Sequence, residues 1–149
     1  MIEYFSSCWS GLFWTDWIPF TADRDEFRII PKVPGLYRIR PAGKDFLMYI
    51  GETRRTLHQR LNELRQSIRR EDLMPWNDPH TAAPSLWAWH DAEGYSYEYS
   101  AAPLDASQAV RRGMESFLLY RYRREYDVCG SLSSYKINVA NFTKIEDTI

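Results

Sequence analysis

Apolar residues recur at two periods along this chain, and the changes of period predict its elements. Leu57, Leu61, Leu64 and Ile68 fall at helical spacing. Thr56-x-x-Gln59 ahead of them forms a capping box, the hydroxyl and the amide each reaching an orphan N–H. A second helical stripe, Glu115, Leu118, Leu119, Tyr122 and Tyr126, predicts a long helix running to about Tyr126, and Asp105-x-x-Gln108 is its expected cap. Strand patterns occupy the remainder. Leu36 to Arg40 opens after Pro34-Gly35, and Phe46 to Ile50 follows the turn-like run Pro41 to Asp45. A hairpin centred on Gly43 would set Tyr37 opposite Tyr49, on one face. Tyr95 to Ser100 alternates with period two, as a half-buried strand does. Pro75, Pro79 and Pro84 interrupt the middle, where a short helix or strand is expected near Trp87 to Trp89. The tail Tyr135 to Val139 is expected to return to the sheet.

Strand, strand, helix, strand, helix is the order of an α/β (α+β) fold, a small central sheet with helices packed on it. Residues 1–32 form an arm rich in Trp and Phe: Trp9, Phe13, Trp14, Trp17 and Phe20. It either packs on the domain formed by residues 33–149 or offers rings on which bases stack, and core packing is the commoner use of tryptophan. At 149 residues the chain suits one domain with its own core.

The net charge of -1 and a pI near 6.3 are not those of an obvious nucleic-acid binder. The distribution changes that picture. Arginines gather at Arg54, Arg55, Arg60, Arg65, Arg69 and Arg70, and again at Arg111, Arg112, Arg121, Arg123 and Arg124. Guanidinium forks suit phosphate, although solvated helix faces explain most such runs. Cys8 and Cys129 have neither metal-ligand nor disulfide spacing, so reduced thiols in a cytoplasmic protein are expected. Glu3, Asp16 and Pro19 interrupt the aromatic N-terminus, which reads as neither signal peptide nor membrane span.

Three features carry candidate chemistry. Tyr37 and Tyr49 form a cross-strand aromatic pair, or a pair of phenols on a site floor. Glu115 sits inside an apolar stripe, where a carboxylate is costly unless it pairs with an arginine or binds a hard cation such as Mg²⁺ or Mn²⁺. Arg60 lies about seventy degrees from the centre of its helix's apolar stripe, placed either to snorkel or to present its guanidinium beside a cleft.

Together these residues resemble the GIY-YIG nuclease family. Gly35-Leu36-Tyr37 is similar to the GIY element, with Leu for Ile, and Tyr49-Ile50-Gly51 is the YIG element. Glu52 to Leu61 resembles the segment that ends in the family's helix arginine, here Arg60. Glu115 to Leu119 resembles the helix with the metal-binding glutamate, and Asn138, with Asn141 as a competing match, resembles the asparagine near the domain's end. The resemblance spans residues 33–141, and the ordered set is far more specific than any one triplet.

The resemblance implies a sheet of about three strands, a single divalent ion (Mg²⁺ or Mn²⁺) on Glu115, and hydrolysis of DNA, with the double-stranded form as substrate. Arg60 would neutralise charge on the phosphoryl oxygens, Tyr37 or Tyr49 would take a proton from water, and Asn138 would hold geometry. Arg54, Arg55, Arg65 and Arg69 would contact the DNA backbone. A homodimer would suit cleavage of both strands. Two departures stand out: Glu52 replaces a lysine found in some members, and Leu64 occupies a position where many carry His or Tyr. The alternatives are a nucleic-acid-binding module without catalysis and a protein-interaction domain on the same fold.

Overall fold

The computed structural model describes residues 2–69 and 82–129. Four strands build one antiparallel sheet: β1 (Ile18–Pro19), β2 (Gly35–Pro41), β3 (Tyr49–Thr53) and β4 (Tyr97–Pro103), in the spatial order β1-β4-β2-β3. Four helices pack around it: α1 (Arg24–Phe27), α2 (Leu57–Ile68), α3 (Ala82–Glu93) and α4 (Gln108–Cys129). The mixed fold with a central sheet agrees with the sequence pattern, and β1 adds a fourth strand from the arm. Two residues pairing with Tyr99 and Glu98 are too short to leave a period in the sequence.

Alternation along β2 sends Gly35, Tyr37 and Ile39 to one face and Leu36, Arg38 and Arg40 to the other. The first face takes α2, whose stripe Leu57, Leu61, Leu64 and Ile68 is buried. The capping box at Thr56 is present, and the N–H groups of Leu57 and His58 donate to the carbonyls of Val33 and Pro31, which fixes where α2 starts. α3 joins this face through the Tyr97 hydroxyl, which donates to the Leu86 carbonyl at 2.7 Å. It ends at Gly94, with His90 Nδ1 on the Tyr95 carbonyl, so His90 has a structural task. His58 packs edge-on to Phe27, where burial lowers its pKa, with Lys32 and Arg65 adding to the effect.

The second face is closed by residues 4–17 and by α4. Arg38 is fully buried there. Its guanidinium donates to the carbonyls of Tyr4 (2.6 Å), Phe5 (3.2 Å) and Ser6 (3.0 Å), between the rings of Trp14 and Trp17. Burial, and then the neighbouring Arg40, pull its pKa down to about 9. Arg40 stacks on Trp17 and pairs with Glu98 at 2.8 Å. Trp9 reaches α4, its indole N–H donating to Glu125 at 3.1 Å.

Two expectations need correction. The cap of α4 is Ser107, whose Oγ accepts from the N–H of Val110 at 3.3 Å, and not Asp105 two residues earlier. The helix continues past Tyr126 to Cys129. The hairpin register also differs: Tyr37 pairs with Gly51 and Ile39 with Tyr49. The regular ladder ends at Tyr49: Met48 still donates to the Ile39 carbonyl at 2.7 Å, and the Leu47 N–H turns instead to the Tyr122 hydroxyl at 3.0 Å. The expected tail strand at 135–139 lies outside the described residues. No helix among the described residues is long and apolar enough to cross a membrane.

Candidate active site

β2, β3 and α2 bring three of the expected residues together on one sheet face. The register makes Tyr37 and Tyr49 diagonal neighbours, and their rings stack with centroids 6.1 Å apart and planes 16° apart. Arg60 comes in from α2. Its Nε donates to the Tyr37 phenol oxygen at 3.4 Å, and its Nη1 donates to Glu63 Oε1 at 3.1 Å. Tyr37 and Arg60 are each 1% exposed, so the contact lies in a low-dielectric setting.

Both motif glycines have a steric reason. A Cβ on Gly51 would lie 2.5 Å from the Tyr37 ring and 2.6 Å from its hydroxyl. The phenol uses the space above Gly51 as its seat. A Cβ on Gly35 would run into the Ala102 carbonyl and meet Leu57 Cδ1 at 2.8 Å, so close approach of β4 and α2 needs glycine there. Gly51→Ala should therefore displace Tyr37 and cost on the order of 2 kcal/mol, the range of core overpacking. A thermal melt and the tyrosine near-ultraviolet circular dichroism check this; an unshifted melt with an unchanged aromatic signal would show that Tyr37 does not need that seat.

Glu115 lies on the inward face of α4 with Leu118, Leu119, Tyr122 and Tyr126, all buried, as the wheel predicts. Two contacts orient its helix. Arg111, one turn before it, donates to Glu52 at 3.1 Å, and Tyr122 meets the Leu47 backbone. These contacts run α4 antiparallel to the segment from Leu47 to Glu52. Glu115, one turn on from Arg111, therefore lies on the side of the sheet that carries Arg38, Ile50 and Glu52, not on the face that carries Tyr37, Tyr49 and Arg60. It is 1% exposed and engaged by neighbouring groups, with Oε2 outside any hydrogen bond within the described residues. Among those residues no three His, Cys, Asp or Glu side chains gather. A single carboxylate makes no protein cage, and a hard ion that keeps most of its waters, such as Mg²⁺, would reach Glu115 only if this buried side chain were uncovered.

Glu52 does not project into the Tyr37 cluster. It is directed to the opposite face with Leu36, where Arg111 and, at 3.9 Å, Arg112 balance its charge. Its side chain is only 8% exposed, so this pair clamps α4 to the strand of the YIG triplet. Leu64 is core, leaving no proton carrier at that position.

The four arginines expected at DNA divide in two. Arg54 and Arg55 are exposed, on the rim of an open groove shared with Glu52, Thr53, Glu63, Gln108 and Arg112. Arg65 and Arg69 are turned to the arm, donating to the carbonyls of Ala22 (2.8 Å) and Phe20 (3.2 Å), and Arg65 also covers the Phe27 ring. Asn138 and Asn141 lie outside the described residues.

Glu63 is a member of the cluster that the sequence pattern does not single out. It receives Arg60 and both terminal nitrogens of Arg55, at 2.8 and 3.1 Å. The i, i+3 spacing from Arg60 is the signal that could have found it. Burial raises the phenols of Tyr97, Tyr99 and Tyr122 far above the usual range, so these three stay protonated and are not proton acceptors. No family model matches the chain, no curated protein matches it, and no solved structure matches it.

Proposed function

We propose that this chain is a metal-dependent nuclease that hydrolyses phosphodiester bonds in DNA. The observation that supports it most is the buried contact between the Arg60 guanidinium and the Tyr37 phenol, seated on Gly51 beside Tyr49. In this reading Tyr37 is the tyrosine that takes a proton from water, one of the two that the resemblance implies. The Arg60 guanidinium would neutralise a phosphoryl oxygen gathering negative charge, with its Nη1 held by Glu63. Glu115 would hold a divalent ion, which supplies Lewis-acid polarisation of the phosphate and charge stabilisation on the leaving oxygen. Arg54 and Arg55, on the groove rim, would take flanking phosphates.

The depth of the cluster favours a second reading. Tyr37 and Arg60 at 1% exposure would equally serve as an internal brace in a nucleic-acid-binding module that does not cleave. Supercoiled plasmid incubated with Mg²⁺ or Mn²⁺, with an EDTA control, separates the two. A nuclease nicks or linearises the plasmid only with metal, and Arg60→Ala slows it by a factor of roughly a hundred or more, as loss of one transition-state donor does. DNA binding without any cleavage, with Arg60→Ala altering only the melting temperature, would assign the cluster to the brace.

A further inference from the structure

The long helix α4 carries a second stripe opposite the buried one. Val110, Gly113, Phe117, Tyr120, Arg121 and Arg124 fall within about 100° of the helical wheel. Val110, Phe117 and Tyr120 are 52%, 42% and 54% exposed, which makes them three of the few large apolar side chains open to solvent among the described residues. Both arginines lie over the rings: Arg121 is 5.8 Å from the Phe117 centroid and Arg124 is 5.8 Å from that of Tyr120. Arg124 also donates to the Tyr120 hydroxyl at 3.0 Å, and Arg121 pairs with Glu125 just beyond the stripe's edge. The stripe itself contains no carboxylate. Two exposed rings and two arginines thus share one face of a chain whose net charge is -1.

We infer that the outer face of α4 is a contact surface for a single nucleic-acid strand. Exposed rings flanked by guanidinium groups offer what such a strand presents: bases to stack and phosphates to neutralise. Phe117 and Tyr120, one turn apart, accept successive bases, and Arg121 and Arg124 exchange their ring contacts for backbone phosphates. A second copy of the chain fits this face less well. Self-pairing would bring the two copies' Arg124 charges together, and Glu125 answers only Arg121. The surface is separate from the Tyr37 and Arg60 cluster and does not depend on cleavage.

The test is binding of a fluorescein-labelled oligothymidylate, followed by anisotropy in EDTA so that no cleavage intervenes. The Phe117→Ala/Tyr120→Ala variant, altered only at exposed positions, should bind about tenfold or more weakly. Arg121→Gln/Arg124→Gln should reduce the slope of log affinity against log salt by about 1.4, near 0.7 for each phosphate that is no longer neutralised. Circular dichroism confirms that both variants fold. Wild-type affinity and salt slope in both variants would overturn the inference, as would no binding by the wild type. A wild-type dimer that the aromatic variant converts to monomer would give the face to a second copy instead. Plasmid cleavage is scored separately, so a failed nuclease reading and a failed strand surface give different results.

Discussion

Glu115→Gln is expected to abolish metal-dependent cleavage while leaving the fold intact. The substitution keeps the volume of a side chain that is 1% exposed between Leu118, Leu119 and Arg111 on one helix face. It removes the negative charge that α4 carries on its buried face. A neutral amide oxygen is a poor substitute for a carboxylate as a ligand to a hard cation, so the ion is not held at useful concentrations. The loss of stability should be small, because the amide keeps hydrogen-bonding capacity for the groups that engage the carboxylate. Plasmid nicking over a Mn²⁺ series gives the first readout and a thermal melt gives the second. Cleavage at the wild-type rate would remove Glu115 from the proposed chemistry, and a collapsed melt would make it a structural residue.

Arg38→Ala should produce the largest loss of stability, on the order of 3 kcal/mol or more. Three carbonyls lose their donor at once, and each buried acceptor left unmatched costs about 1–3 kcal/mol. The rings of Trp14 and Trp17 also lose the guanidinium between them. For a chain of this length the melting temperature should fall by about 10 °C. Tryptophan emission should shift to the red and proteolysis within residues 4–17 should accelerate, since those residues lose their anchor. Arg38→Lys should rescue little, because an ammonium cannot serve three carbonyls while lying flat between two indoles. A melt within two or three degrees of wild type would mean that the arm is held by its rings alone.

The helices and strands are legible in the sequence because each writes its own period: Leu57 to Ile68 for α2, Glu115 to Tyr126 for α4, and alternation before Ser100 for β4. What is not legible depends on partners distant in sequence. Where the hairpin ladder ends, Leu47 bonds to Tyr122, 75 residues away, a contact that no turn rule contains. Ser107 and Asp105 are both sound N-cap residues, and spacing alone does not separate them. Tyr37, Tyr49 and Arg60 can be named as candidates from the pattern, but their contact cannot, since it depends on the hairpin register and on α2 seated over Gly35. Glu52 reads as an acid in the place of a lysine until the fold sets Arg111 beside it, 59 positions along. Arg65 and Arg69 illustrate the reverse: phosphate-like spacing on a helix, turned towards the arm's carbonyls.

The way residues 4–17 are held bears on how the chain acquires its structure. Tyr4 waits for Arg38, Thr15 for Ser100 and Ala101, and Trp9 for Glu125, at separations of 34, 85, 86 and 116 residues. Contacts that close such long loops form late and slow the overall rate. During synthesis Trp9, Trp14 and Trp17 emerge well before most of what will cover them. Their rings stay open to solvent until β4 and α4 exist, and in that interval the nascent chain is most prone to association.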